Sequence, residues 1–501
     1  MNKSLAIKQY NDFIKENMMY NYAATLISYD SDTDACAKSY EEHQDVSNYF
    51  SLLVFKRKTS KEYVDLINNL EKYYLQLSPK YQRIVDISKK ELENNQKVPF
   101  ELMERYQKSC SDAFYYWKKA KNENNYSIFR PYLEKVIKCQ IEMGNYIKKD
   151  NQSIYEAFLD SYEEGITEKE LDEFFAKLKS RIVPLLKKTV DSNVKIDDEF
   201  MSRKVRKSSQ MKMGIMIAKE IGYDFSRGQV KETEHPFTTD ISDNDIRITT
   251  HIYPNNFASN LFTMAHEGGH GIYGQQISPK YNNSILKDGA SMAFHESQSR
   301  FFENIIARNK YFVDYYYPKL AKLSPNTFKD VSSDKFYKAI NKVCPSLIRT
   351  EADELTYCLH IMIRYEIEKL MINGKVDYDN LNKLWNQKYK EYLGIDVPND
   401  TNGILQDVHW TGGVGYFFSY ALGNAYSAQI YNTLRKQLDV DNLLSTGKVK
   451  VITKWLKDNV HQYGRLIKSK DLIFKITGEN LNVDYYCNYL EEKFSKIYNL
   501  K

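Results

Sequence analysis

The stretch DIRITTHIYPNNFASNLFTMAHEGGH, residues 245–270, changes from a strand pattern to a helix pattern within one short segment. Its first nine residues alternate apolar and polar side chains with the two-residue period of a half-buried strand. The apolar positions of that alternation are Ile246, Ile248 and Ile252. Helical spacing resumes by Leu261 and continues through AHEGGH, residues 265–270. The stretch therefore predicts a short strand that leads into a helix.

Most of the remaining 501-residue chain has helical patterns. In residues 166–186, Thr167 and Glu170 have the spacing of a capping box, and apolar side chains recur at helical intervals. These apolar side chains are Leu171, Phe174, Phe175, Leu178 and Ile182. Further helices are predicted within residues 289–308, 350–373 and 415–436. The predicted fold is mainly α, with a small β-sheet beside the helix that carries AHEGGH.

Composition narrows the classes of protein that the chain can belong to. No linker rich in Pro, Gly or Ser divides it, so a single domain over residues 1–501 is expected. The formal net charge is only +5 and the two signs are interspersed, so nothing favours a nucleic-acid partner. The six cysteines have no metal-binding or disulfide spacing, and there is neither a signal-peptide pattern nor a run of eighteen apolar residues. We expect a cytoplasmic protein without a membrane partner.

The AHEGGH stretch has the spacing of a metal site. Residues four apart on a helix project from nearly the same face, so His266 and His270 can bind one ion. Glu267 then lies beside the ion, where a general base could take a proton from an activated water. Two simpler interpretations exist: a chance match, with a probability on the order of one in a hundred, and a pair of core histidines bonded to backbone carbonyls.

A catalytic zinc ion usually has three protein ligands and one open position. Glu296, 26 residues after His270 on another predicted helix, is the candidate for the third ligand. His295 and Glu303 are alternatives, and spacing alone prefers none of them. A simpler interpretation of Glu296 is a surface ion pair with Arg300, four residues further on.

Six motifs occur in an order that resembles the thermostable metallocarboxypeptidases of the carboxypeptidase Taq type. They are HPF at 235–237, DIRIT at 245–249, HEGGH at 266–270, HESQ at 295–298, IRTEAD at 348–353 and GILQDVHW at 403–410. Similarity upstream of these motifs extends the resemblance over essentially the whole chain. The chain departs from the family pattern at Gly268, Phe418, His251 and Tyr29, positions that bear on side-chain preference and cleft width and that include neither a ligand nor the base.

The resemblance implies an almost entirely helical, deeply clefted fold similar to that of neurolysin-like and angiotensin-converting-enzyme-like peptidases. It implies either one continuous domain or two helical lobes flanking a cleft, a catalytic core at about 230–436, and a homodimer. It makes Glu296 the third metal ligand, with one Zn²⁺ per chain, or Co²⁺ in its place. The implied activity is removal of C-terminal residues from peptides, with broad specificity and little activity on proline.

Other site residues follow from the requirements of such a reaction. A carboxypeptidase needs a cation for the free terminal carboxylate, and the family motif favours Arg349. A structural ion pair of Arg349 with Glu351, Asp353 or another acid is the simpler interpretation. By analogy with neurolysin-like sites, Tyr420 is the expected oxyanion donor, with Tyr416 as its alternative, and His409 is a substrate contact.

The sequence also suggests supporting roles for one acidic residue and for the predicted strand. Asp407 could orient a histidine near the site. The strand at residues 245–253 could bind the substrate backbone as an added strand would, if it lies at the edge of its sheet.

Two other functions remain open from the sequence. An endo-acting oligopeptidase on the same scaffold would cut peptides whether or not the C-terminus is free. A non-catalytic peptide-binding protein could retain the metal or the groove, although such a protein has no use for Glu267 beside the metal.

Overall fold

The computed structural model describes residues 2–500, and these residues form a mainly helical chain with one three-stranded sheet. The predicted mainly α fold class is confirmed. Among the helices of residues 2–500, none is both long enough and apolar enough to cross a membrane.

Nine helices precede the sheet. They are α1 (Lys3–Thr33), α2 (Tyr40–Lys58), α3 (Lys61–Glu71), α4 (Pro79–Lys97), α5 (Phe100–Asn122), α6 (Tyr126–Ile147), α7 (Ile154–Tyr162), α8 (Glu168–Val190) and α9 (Lys207–Ile221). The helix predicted within 166–186 is α8, and it begins with the predicted capping box: the Thr167 side chain accepts from the backbone N–H of Glu170, whose carboxylate accepts from the backbone N–H of Thr167. The five apolar positions predicted for its inner face are all buried.

The sheet consists of β1 (Val230–Glu232), β2 (Thr238–Ser242) and β3 (Asp245–Thr250), in the order β1-β3-β2. Ile248 of β3 lies opposite Val230 in a parallel pair and opposite Thr238 in an antiparallel pair. β3 is therefore the central strand of the sheet, paired with β1 along 248–250 and with β2 along 245–248. The expectation that this strand lies at a sheet edge was wrong, since alternation in a sequence does not reveal where a strand lies in its sheet.

Twelve helices follow the sheet. They are α10 (Phe257–Gln276), α11 (Met292–Arg300), α12 (Lys310–Leu323), α13 (Pro325–Phe328), α14 (Ser333–Ile340), α15 (Tyr357–Ile372), α16 (Leu381–Leu393), α17 (Phe418–Gln437), α18 (Val440–Ser445), α19 (Val449–Asn459), α20 (Ser469–Thr477) and α21 (Asp484–Tyr498). A π-helix, Phe301–Ala307, continues directly from α11.

Helix boundaries differ from the predicted ones where side chains cap the backbone. Helix α10 begins at Phe257, before the expected Leu261, because Asn256 accepts a hydrogen bond from the backbone N–H of Ser259. Helix α15 begins later than the predicted residue 350. There the Asp353 carboxylate accepts the backbone N–H groups of Leu355 and Thr356, which holds the preceding segment in a turn.

The chain forms two compact units. The first comprises the residues through Asn95, Ile196–Ile340 and Tyr426–Leu481, and it contains the sheet, α10 and α11. The second comprises Gln96–Lys195, Asn341–Ala425 and the residues from Asn482 onward, and it contains α15 and α16.

In the first unit, the C-terminal end of α10 is anchored by the N-terminal helices. Tyr273 and Ile277 of α10 belong to the same buried apolar cluster as side chains of α1, α3 and α4. The members from those three helices include Tyr10, Phe13, Ile67, Leu70 and Ile84. This core fixes α10, which carries the AHEGGH residues.

Candidate functional site

The structure brings His266, His270 and Glu296 together in the first unit. His266 and His270 lie on α10 and Glu296 lies on α11. One potential ligand atom from each lies within 4.8 Å of the others, the only such group of three or more His, Cys, Asp or Glu residues found within residues 2–500. The Glu296 Oε2 atom is 3.7 Å from His266 Nε2 and 3.5 Å from His270 Nε2.

These distances fit a metal ion. A tetrahedral ion with bonds of about 2.0–2.1 Å holds its ligand atoms about 3.3–3.4 Å apart. The 3.5 and 3.7 Å separations of the Glu296 oxygen from the two imidazole nitrogens are close to that value. Two imidazoles and one carboxylate also form the ligand set of several catalytic zinc sites.

A glycine of α10 allows α11, the helix that carries Glu296, to lie close to α10. A Cβ atom on Gly269 would lie 2.7 Å from the carbonyl oxygen of Gln298 and 2.8 Å from the Cα of Ser299 in α11. Glycine is therefore required where the two helices cross. A Cβ atom on Gly268 would instead lie 3.1 Å from the tip of the Ile221 side chain. The glycines of the motif lie against neighbouring elements of the protein.

The alternative third ligands lie on the far sides of the imidazoles. Glu303 Oε2 is 2.9 Å from His266 Nδ1, and His295 Nδ1 is 2.7 Å from His270 Nδ1. Both contact the ring nitrogen that points away from Glu296. The predicted ion pair of Glu296 with Arg300 is present as well, because Arg300 Nε donates to Glu296 Oε1 at 2.7 Å. The Oε2 atom is the one that faces the two histidines.

Burial and neighbouring charges shift the pKa values of Glu296, His266 and His270. Burial by itself would raise the pKa of Glu296, but Arg300 and His266 hold that pKa well below its usual range. Burial would lower the pKa of His266, whereas the carboxylates of Glu296 and Glu303 raise it. The pKa of His270 is lowered, chiefly by burial. Glu296 is thus held as an anion facing two imidazole nitrogens.

Glu267 follows His266 on α10 and is 8% exposed. Its Oε2 atom accepts a hydrogen bond of 2.6 Å from the Thr238 hydroxyl of β2. Burial raises the pKa of Glu267, while the neighbouring His266 and the Thr238 hydroxyl oppose that rise. A buried carboxyl with a raised pKa, held by one donor, suits a group that accepts and returns a proton.

Arg349 lies in the second unit and is buried in an ion-pair network. Its Nε and Nη2 atoms donate to the Asp407 carboxylate at 3.1 and 2.9 Å, and its Nη1 donates to the Tyr357 hydroxyl at 3.1 Å. Arg364 Nε donates to Asp407 Oδ2 at 2.7 Å, the oxygen that also accepts from Arg349 Nε. Burial alone would raise the pKa of Asp407, but Arg364 and Arg349 hold that pKa well below its usual range. The acid that pairs with Arg349 is therefore Asp407, rather than Glu351 or Asp353.

Gln406 forms hydrogen bonds both to Arg364 of this ion-pair network and to the backbone near Arg349. Its Oε1 atom accepts from the backbone N–H of Arg349 and from Arg364 Nη2, both at 3.0 Å. Its Nε2 atom donates to the carbonyl of Leu347 at 3.0 Å. Gln406 thereby holds the backbone of residues 347–349 and connects it to Arg364.

His409, Tyr416 and Tyr420 also lie together in the second unit. The Tyr420 hydroxyl is 3.5 Å from His409 Nε2, and the Tyr416 ring centroid is 5.3 Å from that of Tyr420. His409 Nδ1 is 3.9 Å from Asp407 Oδ1, too far for a hydrogen bond, so Asp407 does not orient this histidine as predicted. The two arginines occupy its oxygens instead. Burial and the nearby Arg349 lower the pKa of His409 to about 4, so its imidazole is neutral at pH 7.

Several polar residues of these sites were missed in the sequence. Thr238 follows the HPF motif directly, which is the only signal that could have identified it. Arg364 lies in a helical pattern without any signal. Glu368, also on α15, is 1% exposed and accepts hydrogen bonds from Tyr155, Trp410 and the backbone N–H of Gly415. Burial raises the pKa of Glu368 to about 7.

A mainly helical chain that brings a distant glutamate to an HExxH helix has the fold and the site of a metallopeptidase. Residues 9–494 match the family model described as carboxypeptidase Taq (M32) metallopeptidase. The chain therefore belongs to the carboxypeptidase Taq (M32) metallopeptidase family, and the expected family resemblance is confirmed.

Individual relatives match over nearly their whole length. Carboxypeptidase 1 of Bacillus subtilis is 42% identical over 493 residues, which cover 98% of each chain. Thermostable carboxypeptidase 1 of Thermus thermophilus is 29% identical over 510 residues, covering 99% of this chain and 100% of the relative. The crystal structure of the M32 carboxypeptidase from Deinococcus radiodurans R1 superimposes with a TM-score of 0.96 at 29% identity, covering 99% and 100% of the two chains.

Proposed function

We propose that this metallopeptidase is a carboxypeptidase that removes C-terminal residues from peptides, with broad specificity and little activity on proline. The observation that carries the proposal is the group of His266, His270 and Glu296 beside the buried Glu267, in a chain of this family. The proposed partners are peptides with a free C-terminus. A cytoplasmic location, expected from the sequence, and a homodimer, implied by the resemblance, are part of the proposal.

His266, His270 and Glu296 are the proposed ligands of one divalent metal ion per chain, zinc or cobalt. When bound, such an ion polarises the carbonyl of the scissile bond and lowers the pKa of a coordinated water. Glu267 is the proposed general base, which takes the proton from the attacking water and returns it to the leaving amine. The Thr238 hydroxyl holds the Glu267 carboxylate in one orientation, at 2.6 Å.

Arg349 is the proposed binding group for the terminal carboxylate. A guanidinium has five N–H donors. Among the contacts within residues 2–500, Asp407 takes one N–H each of Nε and Nη2, and Tyr357 takes one of Nη1. One N–H on each Nη atom is left to donate to a substrate carboxylate, for which a guanidinium offers charge-assisted hydrogen bonds.

The Tyr420 hydroxyl is the proposed oxyanion donor, with Tyr416 as the alternative, and His409 is the proposed substrate contact. The lowered pKa of His409, about 4, supports a hydroxyl rather than an imidazolium as the donor.

The experiment that tests the proposal is mass-spectrometric analysis of the products formed from peptides with free and amidated C-termini. It compares metal-loaded wild type, chelated wild type and Glu267→Gln. We expect stepwise shortening of free-ended peptides only, abolished by chelation and slowed at least about a hundredfold by loss of the general base. Internal cuts that ignore amidation would instead assign an endo-acting oligopeptidase. Bound metal without any cleavage would assign a peptide-binding protein.

Arg349→Lys tests whether Arg349 binds the terminal carboxylate of the substrate. Lysine keeps the positive charge but loses the planar fork. We expect KM for free-ended peptides to rise at least about tenfold, more than kcat falls, because the fork contributes to binding through charge-assisted hydrogen bonds. The control is Arg181→Lys, which makes the same substitution at a more exposed arginine of the second unit that is bonded to Glu491. An unchanged KM in Arg349→Lys would remove this residue from the carboxylate site.

A further inference from the structure

The two histidines of the metal group have different partners on their outer nitrogens. His266 Nδ1 faces the Glu303 carboxylate and His270 Nδ1 faces a second imidazole, that of His295. Neither partner is within the group of potential ligand atoms. Both lie close enough for a hydrogen bond, at 2.9 and 2.7 Å. Each of the two imidazoles therefore has a hydrogen-bond partner on its Nδ1 atom, the ring nitrogen that points away from Glu296.

Glu303 is itself held in place. It lies on the π-helix Phe301–Ala307, a rare backbone form that occurs often at functional sites. Arg300 donates Nη1 to Glu303 Oε2 at 3.2 Å and Nε to Glu296 Oε1 at 2.7 Å. One guanidinium thus connects the partner of His266 to the third residue of the metal group. It also occupies Oε1 of Glu296, so that Oε2 is the oxygen left to face the histidines.

The contact between His270 and His295 requires one proton between the two Nδ1 atoms. A neutral imidazole has one N–H and one lone pair. If His270 Nε2 gives its lone pair to a metal ion, the His270 proton is on Nδ1 and is donated to His295 Nδ1. His295 then carries its own proton on Nε2. A neutral side chain here does what a carboxylate does for His266.

We propose that Glu303 and His295 are positioning residues of the metal centre, each accepting the Nδ1 proton of one ligand imidazole and so fixing its Nε2 toward Glu296. The inference rests on the proposed function in one respect, namely that His266, His270 and Glu296 bind a metal ion. Hydrogen-bonded partners of this kind fix the tautomer and the ring orientation of a ligand, and their loss weakens metal binding about 10–100-fold.

The test measures the dissociation constants of Zn²⁺ and Co²⁺ by competition with a chromophoric chelator, using the full-length chain. The variants are Glu303→Leu and His295→Leu, each of which removes the acceptor of one imidazole. His295→Asn is the rescue variant, because an Asn side-chain oxygen can take the place of the His Nδ1 acceptor. Glu220→Gln is the matched control, since it neutralises a carboxylate that binds Lys319 in the same unit. The unfolding temperature of each metal-free variant reports on folding.

We expect Glu303→Leu and His295→Leu to bind both metals at least about tenfold more weakly than wild type, and their Co²⁺ absorption bands to shift. His295→Asn is expected within about threefold of wild type, and Glu220→Gln is expected to be unchanged. Affinities within about twofold of wild type for both Glu303→Leu and His295→Leu would overturn the inference while leaving the proposed function intact. An Asn variant as weak as the Leu variant would overturn the acceptor role of His295. A wild-type chain that binds no metal would overturn the proposed function itself.

Discussion

At the scale of single residues, the surroundings of Glu267 govern the proposed chemistry. Its carboxylate is buried, which raises its pKa, and the Thr238 hydroxyl donates to it at 2.6 Å, which opposes that rise. A donor to the charged form of an acid stabilises that form. Thr238 therefore affects both where the base points and the pH range in which it is ionised.

Thr238→Val tests this contact. Loss of the donor removes a hydrogen bond to a charged group, so we expect kcat/KM to fall about tenfold. Because the hydroxyl lowers the pKa of Glu267, its removal raises that pKa, and the acidic limb of the kcat/KM profile moves to higher pH. Thr238→Ser keeps the hydroxyl and should resemble wild type.

The matched control is Thr239→Val on the same strand, where the side chain points to the opposite face. An acidic limb that stays in place or moves to lower pH in Thr238→Val would contradict the assigned role.

At the scale of elements, the contact between α10 and α11 decides which side chains can meet. Gly269 allows the backbone of α11 to approach, and this approach brings Glu296 to the two histidines of α10. Gly268, one position earlier, lies against a flexible side-chain tip. Two adjacent glycines of the same motif therefore have different structural requirements.

Replacing each glycine by alanine tests whether the two positions have different structural requirements. In Gly269→Ala the new Cβ would lie 2.7 Å from a backbone oxygen, so the helices must move apart. We expect a loss of about 1–3 kcal/mol in the free energy of unfolding, together with weaker metal binding. In Gly268→Ala the Ile221 tip can shift, and alanine adds up to about 1 kcal/mol of helix propensity.

Chemical denaturation of the metal-free variants, with chelator competition for metal affinity, checks both substitutions. Equal effects of the two alanines would show that the close approach of α11 is not the reason for Gly269.

At the scale of the whole molecule, the candidate metal ligands and the candidate carboxylate-binding arginine belong to different compact units. His266, His270 and Glu296 lie in the first, and Arg349 with Asp407 and Arg364 lies in the second. An ion bound to the three ligands cross-links α10 to α11, both elements of the first unit. Its effect on stability should therefore be local.

Metal removal tests that expectation. An ion at a thousand times its dissociation constant stabilises the folded state by about 4 kcal/mol. We expect chelation to lower the unfolding temperature by several degrees and to reduce hydrogen-exchange protection in α10 and α11 more than in α15 and α16. Glu296→Gln should remove the response to metal. Loss of protection spread evenly over both units would contradict a local cross-link.

Much of the fold and part of the site could be predicted from the sequence. The capping box of α8 and its buried stripe depend on residues three or four apart, and the structure has both. The role of β3 could not be predicted in the same way, because its central position depends on pairing with β1 and β2. The Asp407 contact with Arg364 was likewise invisible, since it joins residues far apart in the chain.

The sequence by itself determined the helical class, the strand before α10 and the shared face of His266 and His270, because hydrophobic periodicity and the pitch of a helix are local properties. Only the tertiary structure decided which of Glu296, His295 and Glu303 faces the inner nitrogens of that pair. All three follow one another within a few residues, and the choice depends on how α11 and the π-helix pack on α10. That packing places the Glu296 carboxylate near the Nε2 atoms of the two imidazoles. It places Glu303 and His295 against their Nδ1 atoms.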